Sequence, residues 1–476
     1  MKRRTFLQAA IAGAGFGVAK AYGLAQVNST AARSRLEGLR LDLAPVDPHK
    51  IPQIISIFLY GGASELAGNL TNIGQIMRNS STPYPPNLAQ DAFNTQVTRN
   101  QFWANAGGTA MEQMLRAKQM SIYRTVNRVL DDSKAHGLSV AQNASGNVDA
   151  SMPGIATTLA YILTKNNPFL TKPVEQLVMP FVSFEGESHI FSGATEAIPR
   201  ALRPVSLSAT LQNPYERVTV GGLPDGHTED QLTLLAKEMA LEKRLFPEIG
   251  AAFSRRADLA KAIKSMVDEP FVKEQVRQYN IGYAGADLID YGESDFSAKL
   301  RAAVGLALIN NDTVFISLSG GGVGQWDDHS DGLVAYPKRM NSLMSAIRAA
   351  VLHIERAASD KPHARNILIN VYSEFGRNVS LNASRGWDHG NNQSFMTFAG
   401  ANLRPIGALG KIVGRTTTTG SKGDFRQFTT PSPNSYQCEP YAIASRIYSY
   451  FGVRNPQVLT GVTPLDETVA SEPVLT

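Results

Sequence analysis

A single cysteine, Cys438, stands in 476 residues. One thiol makes no intramolecular disulfide and no thiolate metal cluster, so any metal here must be held by imidazole, carboxylate, amide or hydroxyl donors. Charge is sparse as well, at 18% of residues with a formal net charge of +5. Over this length, and without a dense basic stripe interleaved with aromatics, that balance points away from nucleic acid. It leaves only a mild pull toward anionic substrates or surfaces. No long hydrophobic run is present near the start. The apolar stretch from Ala9 to Val18 is too short and too rich in Ala and Gly to span a bilayer. Hydrophobic residues make up 43% of the chain, enough for a sizeable core, and the length suits one large domain or a core domain with a helical insert.

What is present is one arrangement that occurs twice. The run Ile367 to Val371 is apolar and β-branched and reads as a buried strand. It ends at Ser373-Glu374-Phe375-Gly376-Arg377, and a short polar loop then brings Trp387-Asp388-His389-Gly390. Upstream, Thr313 to Ser319 reads as a second strand, followed by glycines and by Trp326-Asp327-Asp328-His329. Sites in open α/β sheets form outside the carboxyl ends of strands. Hard carboxylate oxygen beside imidazole nitrogen suits a divalent cation. An Asp-His pair is also a common hydrogen-bonded surface pair. Two such clusters, each after an expected strand, bring the metal reading level with that simpler one. Parallel strands side by side would bring Asp327, His329 and His389 to one place.

Taken in order, the chain opens with Met1-Lys2-Arg3-Arg4-Thr5-Phe6-Leu7 and a weakly hydrophobic segment, which look like a twin-arginine export signal rather than the frayed basic start of a cytosolic domain. Ala19-Lys20-Ala21 and Gly23-Leu24-Ala25 offer cleavage sites, so residues 1–26 are expected to be a signal and 27–50 a polar linker. Ile51 to Tyr60 reads as the first core strand, ending at Gly61-Gly62-Ala63-Ser64-Glu65. These glycines allow close backbone approach to a ligand; a tight strand-to-helix turn with Ser64 as N-cap explains them equally well. Further strands are expected at Met120–Val126, Leu177–Phe184 and Ser394–Ala399, and helices at Ile155–Leu163, Ser297–Ile309, Lys338–Ala358 and Tyr441–Phe451. His136 follows Asp131 and Asp132 and either faces a site or lies in a solvated turn; His189, His353 and His363 read as loop or surface residues. Residues 225–295 read as an amphipathic helical insert that includes a Thr228-to-Gln231 capping box, and Arg415 to Pro433 as a lid or hairpin. Alternating strands and helices from 297 to 400 predict an α/β fold, a doubly wound, mostly parallel sheet with helices on both faces.

The twin-arginine start, Gly61-Gly62-Ala63-Ser64, the Trp326-Asp327-Asp328-His329 block, the run Ser373 to Arg377 and Asp388-His389-Gly390 together resemble the exported bacterial family called domain of unknown function 1501. That family looks like a branch of the alkaline phosphatase-like superfamily, which uses divalent metals to hydrolyse phosphate or sulfate esters. The resemblance implies a single domain over 51–470, with Asp327 and His329 as one pair of metal ligands, Glu374 at a second metal, and Asp388-His389 as later ligands. The ion would be Zn, Mn, Ca or Mg. It further implies Ser64 as a nucleophile and Arg377 as a bidentate holder of an anionic oxygen. Many relatives place an aspartate shortly after the first strand, but Ser64-Glu65-Leu66-Ala67-Gly68-Asn69 has none. The sequence therefore supports two readings. One is a periplasmic or extracellular hydrolase of small anionic esters. The other is a non-catalytic periplasmic binding or assembly protein on the same fold. In both, the twin-arginine translocase is a partner and no stable membrane span is expected.

The export reading predicts that Arg3→Lys with Arg4→Lys traps uncleaved precursor in the cytoplasm. Cell fractionation checks this, and periplasmic accumulation of the double variant would refute it.

Overall fold

The computed structural model describes residues 34–85, 88, 99–186, 188–193, 198–207, 269–321, 324–419 and 429–474. The export segment, the capping box and most of the expected helical insert lie outside the described residues. Apolar β-branched runs make the long strands. They are β1 (Gln53–Leu59), β2 (Met120–Asn127), β5 (Phe315–Ser319), β6 (Ile367–Ser373) and β9 (Asn392–Ala399), joined by the shorter β3 (Phe181–Ser183), β4 (Val205–Ser206) and β10 (Ile412–Val413). These eight form one sheet in the order β10-β2-β9-β6-β1-β5-β3-β4. All neighbours are parallel except the two pairs made by β9, which runs against β6 and β2. The expected parallel run from 297 to 400 thus breaks at its last strand. A parallel return requires a crossover, usually a helix, and the chain between β6 and β9 has no helix to supply one. It carries instead the two-stranded ribbon of β7 (Gly376–Arg377) and β8 (His389–Gly390).

Helices cover both faces of the sheet. Ile55, Ile57 and Leu59 of β1 face a core shared with α1 (Ile73–Asn79), α2 (Gly108–Arg116), α6 (Asp295–Ile309) and α7 (Gly332–Ala357). The alternate residues Ile54 and Phe58 face a second core with α3 (His136–Ser145), α4 (Ile155–Lys165) and α8 (Tyr441–Tyr450). A strand buried on both faces reads as a continuous apolar run, as β1 does. From the region of the expected insert the structure describes α5 (Glu269–Tyr279). The arms of the expected hairpin, β11 (Thr416–Thr418) and β12 (Thr429–Pro431), pair antiparallel. Among the described residues no helix is long and apolar enough to cross a membrane.

Three stretches differ from their reading. His353 is a core residue of α7 with no exposed surface, its Nδ1 3.1 Å from the Tyr291 hydroxyl, and burial pushes its pKa down to about 3. The described part of the expected linker is packed: Leu36 is buried, Ala44 N donates to Gly452 O at 2.7 Å, and Arg454 N donates to Asp42 O at 2.8 Å. Helix α3 is not among the expected helices. Its buried residues are Ser139, Gln142, Asn143 and Ser145 with only Val140 and Ala144 beside them, so its apolar stripe is too thin to stand out.

Ile369 is fully buried in β6 between β1 and β9. Ile369→Ala should cost about 2–5 kcal/mol, measured as a lower denaturant midpoint with an unchanged slope.

Candidate metal centre

The centre is built at the carboxyl ends of β1, β5 and β6, the middle of the sheet. Two loops lie side by side there, tied by an isolated bridge between Ser330 and Arg385 and by Trp387 N donating to Asp328 O at 2.7 Å. Each loop buries its tryptophan and presents the next aspartate. Trp326 and Trp387 both pack edgewise on Tyr336 of α7, with ring centroids 6.0 and 5.6 Å away, and Trp387 Nε1 donates to the Tyr84 hydroxyl at 2.8 Å. The repeated Trp-Asp pattern is therefore an anchor followed by a functional group. Gly61 has φ +112°, and a Cβ there would stand 2.4 Å from the Asp327 amide nitrogen. The close approach is to neighbouring parts of the chain: Gly61 to the loop after β5 and Gly62 to the Phe375 ring.

His136, Asp327, His329 and His389 each turn one donor atom inward, and these four atoms lie within 4.8 Å of one another. Asp327 Oδ1 is 3.1 Å from His329 Nε2, 3.6 Å from His136 Nε2 and 3.8 Å from His389 Nε2. The other ring nitrogen of each histidine meets an oxygen. His136 Nδ1 is 3.0 Å from Glu374 Oε1, His329 Nδ1 is 3.0 Å from Asp388 Oδ1, and His389 Nδ1 is 2.7 Å from Lys134 O. Carboxylate and carbonyl oxygens accept, so each Nδ1 donates outward and each ring turns its Nε2 inward. His329 Nε2 and His389 Nε2 then face each other at 3.0 Å. Two lone pairs at that distance repel unless a proton or a cation lies between them. Imidazoles oriented through their second nitrogen, with donor atoms gathered within 4.8 Å of one another, suit a bound ion about 2 Å from each donor. The residues present fit a single divalent ion.

The electrostatics agree. Burial opposes ionisation of Asp327, yet hydrogen bonds from His136, His389 and Arg377 hold its carboxyl far below the usual range. Burial would lower the His136 pKa, but Asp327 and Glu374 raise it to about 9. Without a cation His136 holds a proton at neutral pH. Its contribution to stability is full below about 6.5 and is lost as pH rises through about 9. A metal replaces that proton.

The other candidate residues take distinct places. Glu374, fully buried, accepts from Gly61 N and orients His136. Asp388 orients His329. Arg377 is buried and its guanidinium is fully engaged: Nε donates to Gly62 O, Nη1 to Trp387 O and Nη2 to Gly61 O and Asp327. Ser64 is buried, and its Oγ lies 3.4 Å from Leu66 N in a small cavity beside Tyr336 and Met340. The sequence underweighted His136. The signal available was its place two residues past Lys134, after a pair of acids; Asp131 accepts from Gln142 at 2.5 Å and pins the start of α3.

A family model described as "Protein of unknown function (DUF1501)" matches residues 51–432. No curated protein and no solved structure matches the chain.

Arg377→Ala would leave Asp327 without its buried partner and the carbonyls of Gly61, Gly62 and Trp387 without that donor. The loss should be about 3–5 kcal/mol, larger than for Asp327→Asn, read from chemical denaturation of the metal-free proteins.

Proposed function

The chain belongs to the DUF1501 family, and on that premise we propose that it is an exported, metal-dependent, hydrolase-like protein acting on phosphate or sulfate esters, on an alkaline phosphatase-like fold. The observation that carries the reading is the three histidines, each fixed through Nδ1, converging on Asp327. Three imidazoles and one carboxylate favour Zn or Mn over Ca or Mg, which prefer oxygen. When bound, such an ion supplies Lewis acidity toward the oxygens of an anionic ester. The chain does the rest. Glu374, Asp388 and the Lys134 carbonyl hold the ring planes, and Arg377 holds Asp327. His329, with 43% of its side chain exposed, marks the side from which a substrate enters. The twin-arginine start supports delivery to the periplasm or beyond by the translocase that moves folded proteins.

A second reading is a non-catalytic binding or assembly protein with a structural ion. Two observations favour it: the protein alone supplies four donors, and Arg377 and Ser64 spend their polar atoms on the chain itself. Closed four-ligand sites are typically structural.

Metal analysis of the purified protein should find about one equivalent of Zn or Mn. EDTA should lower the melting temperature, with recovery on adding the ion back. Asp327→Ala and His389→Ala should abolish that response, whereas His49→Ala, at an exposed position, should keep it. No metal and an unchanged melting curve would end both metal readings. Turnover of an aryl phosphate or sulfate that falls about 100-fold or more in His389→Ala separates the hydrolase from the structural reading.

A further inference from the structure

A cavity of about 430 Å³ opens beside β2 and β10, lined by none of the metal-centre residues. Its wall carries three guanidiniums, Arg99, Arg124 and Arg415, against one carboxylate, Glu472. Arg124 is 3% exposed, a buried cation that lines the space. Nε donates to Gly68 O at 2.7 Å and Nη2 to Asn100 O at 2.8 Å, while Phe102 lies under the guanidinium at 5.6 Å. Nη1 enters neither of those bonds, which hold the group in orientation where it lines the cavity. Burial lowers its pKa to about 10, which still leaves it charged at neutral pH. A buried cation is costly unless it is paired, and Arg124 is balanced through space by Glu65, Glu472 and Glu112 while its hydrogen bonds go to backbone carbonyls.

The remaining wall mixes hydroxyls with Asn100, Gln101, Ile412 and Pro473. Thr71, Thr416 and Ser432 line the cavity, and Asn69 fixes the first two: Thr71 Oγ1 donates to Asn69 Oδ1 at 2.9 Å and Asn69 Nδ2 donates to Thr416 Oγ1 at 2.9 Å. Arg415 comes in from the rim, with Nε on Glu472 at 2.5 Å. The volume is far more than a bare tetrahedral oxyanion fills and lies in the range of small-molecule sites.

We propose that this cavity binds a small organic anion, a phosphorylated or sulfated sugar in size and polarity, with its oxyanion against Arg124 and Arg415 and its hydroxyls against the threonines and Ser432. Guanidinium is suited to this because its fork matches phosphate and sulfate oxygens two at a time. The proposal stands apart from the metal reading. It holds whether or not the centre carries an ion.

Calorimetric titration of the purified protein with glucose 6-phosphate and glucose 6-sulfate tests it, with glucose and inorganic phosphate as references. At least one ester should bind saturably and about tenfold or more tighter than either reference. Arg415→Gln and Arg99→Gln, both at exposed positions, should each weaken the ester about tenfold. Asp327→Asn should leave its affinity unchanged. Failure of every ester to bind, binding of inorganic phosphate as tight as that of the ester, or loss of binding in Asp327→Asn with none in the two arginine variants would each overturn the proposal.

Discussion

The centre of this structure depends on one buried guanidinium. Arg377, in β7, reaches the turn after β1 through Gly61 and Gly62, the loop after β5 through Asp327, and the loop before β8 through Trp387. Three loops from distant parts of the sequence meet on one planar cation. A buried charge persists only where its donors are matched, and here backbone carbonyls supply most of the match. A planar, five-donor group can tie carbonyls from several directions at once, which a lysine ammonium at the same place would not do.

From that tie the rest of the centre follows outward. The loops are held together, so the two tryptophans stay packed edgewise against Tyr336, with Asp327 and Asp388 following them. The histidines then need only orientation, which comes from oxygen acceptors on three different elements. The polar inner face of α3 has the same purpose. Asn143 Nδ2 donates to Glu374 O at 2.8 Å and Arg128 Nη1 to the same carbonyl at 3.1 Å, fixing the backbone of the residue that orients His136.

Much of this was legible in the chain. Strands buried on both faces are long apolar runs, so β1, β2, β5, β6 and β9 were visible, and the two Trp-Asp-His blocks marked the loops that matter. What periodicity does not encode is direction, and β9 was placed parallel because nothing in its residues distinguishes the two orientations. Helix α3 was hidden for a different reason: it packs mostly through polar residues, so the signal that helix reading relies on is reduced to Val140 and Ala144. The same gap left His136 undervalued and made His353 look exposed, since a lone histidine on a helix gives no indication of which face it occupies. Roles within the centre were the least legible. Whether Glu374, Asp388 or Arg377 faces a ligand or a neighbouring side chain depends on distances of one hydrogen bond, and spacing in sequence does not carry that.

The docking of residues 34–50 against the far end of the chain bears on how the molecule comes to be made. Ala44 and Asp42 find their backbone partners in Gly452 and Arg454, about four hundred positions later in synthesis. While a ribosome is still working through the middle of the message, that early segment has nothing to close onto, and its polar groups remain with water. Closure is thus the last act of assembly, possible only once the whole polypeptide has emerged. A route that threads the chain start-first through a membrane would have to postpone this clasp to the far side. A carrier of finished proteins would receive it already shut.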